Sequence, residues 1–242
     1  MGSPVATLSP LDSERFGIVV ARADSVTAEA LPQLLEFCAE HEVEMVIARC
    51  DGADVAAAKA LTAAGMTALE SQLIYRGSLR PRRDAAIRAG QPEDREAVAA
   101  LAEAGFEQLV GHYHADPRLD PEACRAGYVE WTLRGLEGDA ADAFFVYEHE
   151  GAVRAYGMFD EAGREATYIL ATVDPACRGM GLYTALLHHG MAWAEERGAE
   201  EIVGVCAHGN VAPQRNLLKA GMLPVATTTT FHGWRDQIAP GR

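Results

Sequence analysis

The residues best suited to chemistry lie in one stretch, 167–197. An apolar run over 168–173 predicts a strand, Asp-Pro at 174–175 predicts a turn, and apolar residues spaced three and four apart from Leu182 predict a helix. Between turn and helix lies Arg-Gly-Met-Gly-Leu-Tyr, residues 178–183. Glycines let the main chain approach a ligand closely, and the N–H groups of the first helical turn face the loop. The stretch therefore predicts a binding site for a phosphate or pyrophosphate.

The loop matches neither common nucleotide pattern, GxGxxG or GxxxxGK[ST]. With the strand and helix around it, the loop resembles the acetyl-CoA loop of the GCN5-related N-acetyltransferases, written [QR]-x-x-G-x-[GA]. Tyr183 departs from that pattern, because Gly or Ala is usual at its position. The resemblance implies an α+β fold with a mixed, mostly antiparallel sheet flanked by helices, and acetyl-CoA as cosubstrate.

A second part of the resemblance lies at 210–222, where the family reads N-x-x-A-x-x-x-Y-x-x-x-G-F. Asn210 matches, which implies a contact with the pantetheine arm. Leu217 stands where the family has a tyrosine that protonates the departing thiolate, and leucine cannot do so. The resemblance implies these cofactor-binding residues: Leu170, Ala171, Thr172, Val173, Arg178, Gly179, Met180, Gly181, Leu182, Tyr183, Asn210 and Asn216.

The front of the chain contains a fainter copy of the same pattern. With a shift of 156 residues, 44–48 lies close to 200–204, and 59–66 falls on 215–222. Arg22 falls on Arg178, but alanine and serine replace the two glycines. Repetition of a whole helix–strand–helix unit predicts two related halves. We expect a truncated, degenerate acetyltransferase-like domain at 1–80 and a catalytic domain at 81–242.

The acceptor side is less defined. The segment 106–121 is rich in histidine, tyrosine and proline, and loops often carry function. In the family this region lines the acceptor site, which implies three acceptor ligands: Tyr113, His114 and Arg118. For His112 and His114, helix capping or exposure to solvent is an equal alternative.

The general base is not identified by any motif. His208, at a predicted strand end, is the first candidate for the base, followed by His114, Tyr113 and Glu165; a structural role for His208 is equally consistent. Tyr183 or Tyr113 is a candidate for the missing acid. Alternatively no acid is needed, because a free thiol has a pKa near ~8.5.

Composition excludes several classes of protein. A net charge of −14 argues against a nucleic-acid binder. No apolar run reaches the length of a membrane span, and the first residues lack the pattern of a signal peptide. Five widely spaced cysteines without CxxC favour reduced thiols in a cytoplasmic protein, and two histidines without a third ligand predict no metal site.

Together these features predict an N-acetyltransferase that acts on the primary amine of a small acceptor. The layout resembles the TDP-fucosamine N-acetyltransferase branch, which shares Phe16-Gly17, Tyr128 to Trp131, and Gly209-Asn210. A nucleotide-linked amino sugar is therefore the expected acceptor. The alternatives are a non-catalytic module that binds CoA or a partner, and an acetyltransferase for an antibiotic or a protein amine. The expected assembly is a monomer or a homodimer.

Overall fold

The computed structural model describes residues 4–107 and 111–238, which form two compact units. Of the described residues, unit 1 holds 4–73, 111–124 and 226–238, and unit 2 holds 74–107 and 125–225. The strands are β1 Thr7–Leu8, β2 Val20–Ala23, β3 Met45–Asp51, β4 Thr67–Ser78, β5 Ile87–Ala89, β6 Ala143–His149, β7 Ala152–Ala162, β8 Glu165–Val173, β9 Glu201–Ala207 and β10 Leu223–Trp234. The helices are α1 Pro10–Phe16, α2 Leu31–Glu40, α3 Val55–Ala63, α4 Arg95–Phe106, α5 His112–Ala115, α6 Pro121–Leu136, α7 Leu182–Glu195 and α8 Val211–Lys219.

The sheet of unit 2 has the strand order β4-β9-β8-β7-β6-β5. Neighbours from β5 to β8 are antiparallel, whereas β8 and β9 are parallel. β6 and β7 form a hairpin at Glu150-Gly151, where both residues have positive φ, 53° and 74°, as a two-residue hairpin turn requires. Adjacent residues of β7 point to opposite faces, so Met158 packs on α4 and Phe159 on α7. The predicted mixed, mostly antiparallel sheet flanked by helices is thus confirmed.

Helix α7 is largely buried against this sheet. Four of its side chains have no exposed surface: Leu186, Leu187, Met191 and Ala194. His188 Nδ1 donates to the carbonyl of Arg80 at 2.6 Å. His189 is also buried and its Nε2 lies 3.0 Å from Arg83 Nη1. Burial and the charge of Arg83 lower the pKa of His189, so its neutral ring accepts this hydrogen bond. Packing and these polar contacts fix the helix, and with it the loop at its N-terminus.

The sheet of unit 1 has the strand order β1-β2-β3-β10-β4. β2 and β3 are parallel, and β10 is antiparallel to β3. One face of this sheet packs on α2 and α3 and forms the main core of the unit. The other face carries a smaller cluster of Val20, Met45, Ile47, Tyr113, Leu119, Cys124 and Trp234. The segment 111–124, which follows α4 in sequence, therefore covers unit 1.

Three elements of the front half have counterparts at the predicted spacing, but the predicted match of Arg22 with Arg178 is wrong. β3, α3 and β4 begin and end 156 positions before β9, α8 and β10. The strands that precede these elements do not follow the same shift. Val20 of β2 pairs with Met45 of β3, and Glu165 of β8 pairs with Glu201 of β9, so β2 corresponds to β8 with a shift other than 156. Arg22 lies inside β2. Its structural counterpart is therefore a residue of strand β8 and not Arg178 of the loop. The front half differs here mainly in the length of its elements, because β2 has 4 residues against 9 in β8 and α2 has 10 against 14 in α7.

The compact units do not follow the predicted boundary at residue 80. Residues 226–234 of β10 belong to unit 1, while 74–78 of β4 belong to unit 2. Because strands pair across long sequence separations, a sequence boundary does not reveal such an assignment. The division into a degenerate domain at 1–80 and a catalytic domain at 81–242 stays a prediction.

Candidate active site

Strands β8 and β9 part directly before the glycine loop. Their parallel pairing ends at Tyr168 opposite Gly204. β8 continues for five residues to Val173 on its β7 side, and β9 continues to Ala207. A register shift on β7 leaves Ile169 as a bulge residue at the point of parting. Peptide groups on the facing edges of the two strands are therefore open to hydrogen bonds from an inserted ligand.

The loop after β8 is held at its start and open at its centre. Asp174 accepts a hydrogen bond from Ala176 N at 2.9 Å and another from Arg154 Nη1 at 2.8 Å. Gly179 and Gly181 both have φ of +87°, and a Cβ on either would meet no atom within 4 Å. Helix α7 begins directly after Gly181, so its first free N–H groups face an open, solvent-exposed loop. A diphosphate fits this loop, because backbone amides, the helix dipole and the exposed Arg178 all favour an anion.

The far side of the parting is formed by β9 and α8. Asn210 occupies the N-cap position of α8 without a capping side-chain hydrogen bond, and its backbone N donates to the carbonyl of Ala207 at 2.9 Å. Gln214 closes the same corner, since its Nε2 donates to the carbonyl of His208 at 2.7 Å. His208 is exposed after the end of β9, and Asn216 is half-buried on α8. The predicted cofactor residues of β8, the loop and α8 thus all lie in unit 2, around one parting.

Leu217, which replaces the tyrosine of the family pattern, is buried beside Gly204 of β9. It is 1% exposed, and its Cδ2 would lie 3.3 Å from a Cβ on Gly204. The side chain fills space beside the last paired residue of β9 and has no proton to give. Sequence comparison within the chain did not identify two residues of this region, Tyr168 and Gln214, because neither belongs to a motif.

The predicted acceptor residues lie in unit 1 and have different surroundings. The Tyr113 hydroxyl is buried, donates to Asp12 at 2.7 Å and accepts from Arg22. Arg118 is exposed, forms an ion pair with Asp236 at 2.7 Å and lies 4.0 Å over the Trp234 ring. His114 is half-buried. Since its hydroxyl already has two partners, Tyr113 is less suited to bind or protonate a substrate than the sequence predicted.

A buried chain of imidazoles lies beside Tyr113. The Asp116 carboxylate accepts from Trp234 Nε1 at 2.9 Å and lies 2.7 Å from His232 Nδ1. Burial alone would raise the pKa of Asp116, but hydrogen bonds from His232, Arg118 N and Trp234 outweigh it and lower the pKa. His232 Nε2 in turn lies 2.9 Å from His112 Nδ1. Burial, with the neighbouring His232, lowers the pKa of His112 to about 2, so this ring is neutral.

Asp12 makes the stability of unit 1 sensitive to acid. It is fully buried, and Arg22 Nε donates to it at 2.6 Å. Burial raises its pKa, but the bond and charge of Arg22, with hydrogen bonds from Ser9 and Tyr113, lower it from 3.8 to about 2. The stabilisation by the carboxylate is present above the unfolded-state pKa and is lost as the pH falls through the folded-state pKa.

We expect Asp12→Asn to lower the free energy of unfolding by roughly 2 kcal/mol at neutral pH. The variant should also lose less stability than the wild type between pH 4 and about pH 2, because it lacks the titrating group. Thermal unfolding across this range measures both effects. Asp24→Asn is the control, since Asp24 is exposed in its ion pair with Arg49 and such pairs contribute ~0–1 kcal/mol. An unchanged pH dependence in the Asp12 variant would contradict the assignment.

The described residues contain no cluster of His, Cys, Asp and Glu that could hold a metal ion. In that same part of the chain, no helix is long and apolar enough to cross a membrane.

Comparison with known proteins identifies the class to which this fold and site belong. The sequence profile of the Acetyltransferase (GNAT) family matches residues 92–222, more than half of the chain, and the chain belongs to this family. The match spans α4, the parting of β8 and β9, the glycine loop and α8.

Individual relatives are distant. The chain is 26% identical over 149 residues to the spore coat polysaccharide biosynthesis protein SpsD of Bacillus subtilis (strain 168), a match that covers 62% of this chain and 50% of that protein. The chain thus spans about half the length of the curated relative it matches. A GCN5-related N-acetyltransferase from Sphaerobacter thermophilus has a similar fold, with a TM-score of 0.64, 15% identity, and coverage of 98% and 77% of the two chains. A tandem GNAT protein from the clavulanic acid biosynthesis pathway gives a TM-score of 0.58 at 13% identity, with coverage of 100% and 86%.

Proposed function

We propose that this enzyme transfers an acetyl group from acetyl-CoA to the primary amine of a small acceptor, by direct attack while both substrates are bound. The observation that carries the proposal is the parting of β8 and β9 immediately before an open glycine loop. CoA has a diphosphate and an amide-bearing pantetheine arm. The loop suits the diphosphate, and the two adjacent strand edges suit the arm. The degenerate front half is proposed to have arisen by tandem duplication and to bind no CoA.

The proposed CoA ligands are the residues of the parting and of the loop. The edge of β8 supplies Leu170, Ala171, Thr172 and Val173; the loop and first helical turn supply Arg178, Gly179, Met180, Gly181, Leu182 and Tyr183; α8 supplies Asn210 and Asn216. Backbone N–H groups on the β8 edge would donate to the thioester oxygen as negative charge develops there. Preorganised donors of this kind contribute ~10²–10³ in rate.

The acceptor amine must lose a proton before or during attack. His208 stays the first candidate for the base because it is exposed at the end of β9. His114 and Arg118 stay proposed acceptor ligands, and Tyr113 is the weakest of the predicted set because of its bonds to Asp12 and Arg22. A positioned base contributes ~10²–10⁴ in rate.

A nucleotide-linked amino sugar is the proposed acceptor. The resemblance of the layout to the TDP-fucosamine N-acetyltransferase branch supports it, and so does the similarity to a protein of spore coat polysaccharide biosynthesis. The location is proposed as cytoplasmic, and the assembly as a monomer or homodimer without nucleic acid, membrane or metal.

An amine screen tests this proposal. The full chain is mixed with acetyl-CoA and a panel of amines, and release of free thiol is measured. The panel holds nucleotide-linked amino sugars, free amino sugars, aminoglycosides and peptides with a free N-terminus. We expect thiol release with a nucleotide-linked amino sugar and a smaller rate with the same sugar lacking the nucleotide. Turnover of an aminoglycoside or a peptide alone would overturn the proposed acceptor.

A second candidate function is a module that binds CoA without turnover. Leu217 favours it, because the residue usual at this position supplies a proton and leucine does not. Binding of acetyl-CoA with no thiol release against any amine in the panel would support this function over the enzyme.

A further inference from the structure

One aromatic side chain lies where the two parallel strands separate. Tyr183 is in the first turn of α7, directly after the glycine loop. Its ring meets the ring of Tyr168 edge-on, with centroids 5.3 Å apart. Tyr168 is the last residue of β8 that pairs with β9. Tyr183 therefore lies beside the point at which the strands part.

The phenol of Tyr183 also interacts electrostatically with a residue of the other strand. Burial, and then the nearby Cys206 of β9, raise the pKa of Tyr183. Cys206 lies two residues beyond Gly204, past the end of the pairing with β8. Tyr183 thus has one neighbour on each strand, one before the parting and one after it. The raised pKa keeps the phenol protonated, and among the described residues no side chain is hydrogen-bonded to its hydroxyl, so the proton is available for donation.

The hydroxyls of the neighbouring Tyr168 and Tyr156 do not have the same position as that of Tyr183. Tyr168 is 4% exposed, and its hydroxyl would lie 3.3 Å from a Cβ on Gly157 of β7, so it points away from β9. Tyr156 is hydrogen-bonded to Thr132 Oγ1 at 2.9 Å, on the α6 side of the sheet. Leu217 approaches Gly204 from α8 but carries no proton donor.

We propose that Tyr183 is the general acid of this acyl transfer, in place of the proton donor that Leu217 cannot be. The inference rests on the proposed function, since it requires that acetyl-CoA binds at the parting. As the carbon–sulfur bond breaks, the sulfur keeps the electron pair and takes the phenol proton of Tyr183. The phenolate is then reprotonated by the proton that the acceptor nitrogen has lost, which leaves an amide and a free thiol with atoms and charge balanced.

The test uses binding of free CoA, which requires no acceptor. Calorimetric titrations give the dissociation constant of CoA from about pH 7 to about pH 9.5, a range that spans a free thiol pKa of ~8.5. Desulfo-CoA is the control ligand because it lacks the sulfur. In the wild type, the phenol donates to the bound thiolate and stabilises it, so CoA affinity should rise with pH relative to desulfo-CoA. In Tyr183→Phe we expect the apparent pKa of the bound thiol to rise by about one unit, a tenfold effect.

Two further variants separate a chemical role from a structural one. Tyr168→Phe removes the neighbouring hydroxyl and should leave the thiol titration unchanged. The double variant Tyr183→Phe with Leu217→Tyr brings a phenol to Gly204 from α8, and it should restore the thiol titration of the wild type. With an amine from the screen, the single Tyr183→Phe variant should lose ~10²-fold in kcat with little change in KM.

The outcomes are distinct. If CoA does not bind to the wild type, the proposed function fails. If CoA binds to every variant with the same pH dependence in wild type and Tyr183→Phe, the function stands and the role of Tyr183 is overturned. An equal shift in Tyr168→Phe also overturns it.

Discussion

Replacing Gly181 by glutamate is expected to weaken the binding of acetyl-CoA by roughly 100-fold or more, which corresponds to ~3 kcal/mol. Gly181 has φ of +87°, where a side chain is strained by ~1–2 kcal/mol. The larger cause is charge. A carboxylate beside the first N–H groups of α7 would occupy the place proposed for the diphosphate and repel it. Calorimetric titration with acetyl-CoA measures the change.

A matched control is available at the other end of the same helix. Gly198 has φ of +93°, is exposed and has no atom within 4 Å of a built Cβ. Gly198→Glu therefore introduces the same strain and the same charge away from the loop, and binding should stay within about twofold of the wild type, a difference under ~0.5 kcal/mol. Gly181→Ala carries the strain without the charge and should fall between the two. Full affinity in Gly181→Glu, or an equal loss in Gly198→Glu, would show that the loop does not hold the diphosphate.

Gly190→Ala is expected to destabilise the protein by about 2–3 kcal/mol, despite placing a better helix former in α7. Helix propensity alone favours alanine by ~1 kcal/mol. A Cβ at this position, however, would lie 2.0 Å from Phe159 Cζ. The Phe159 ring has no exposed surface and is stacked on Tyr168 at 4.7 Å, so it has no room to move. Overpacking therefore outweighs propensity, and thermal and urea unfolding measure the net loss.

A compensating substitution checks that cause. Phe159→Leu alone should destabilise the protein by leaving a cavity. Combined with Gly190→Ala, it makes room for the new methyl group, so the double variant should be more stable than the sum of the single effects by ~1 kcal/mol or more. Simple additivity would mean that the two residues do not compete for the same space.

Local patterns in the sequence predict much of this fold. The strand predicted over 168–173 lies within β8, and the helix predicted from Leu182 matches the start of α7. Both depend on periodicity and on glycine, which act over a few residues. The glycine loop also falls where expected, because its turn, its glycines and its helix start are consecutive in the chain.

Long-range packing accounts for what the sequence does not reveal. The place where β8 and β9 separate depends on which strands pair and on where the pairing ends. The sequence around Tyr168 contains no local signal that the pairing ends there. Gly190 is small because of a ring 31 positions earlier in the chain, at Phe159. Asp12 and Tyr113 bond across a hundred residues. Arg22 was matched to Arg178 because a constant shift was assumed, but β2 and α2 are shorter than β8 and α7, and this changes the shift.

The assignment of β10 to unit 1 affects the order in which the chain can fold. β3 is synthesised long before β10, its antiparallel partner at Met45 to Asp51. Until β10 emerges from the ribosome, this edge of β3 exposes unpaired peptide groups, which favour aggregation. A gene split at residue 80 would leave each product without a strand that its own unit requires. We therefore expect the separate halves to be insoluble and co-expression of both to recover folded protein.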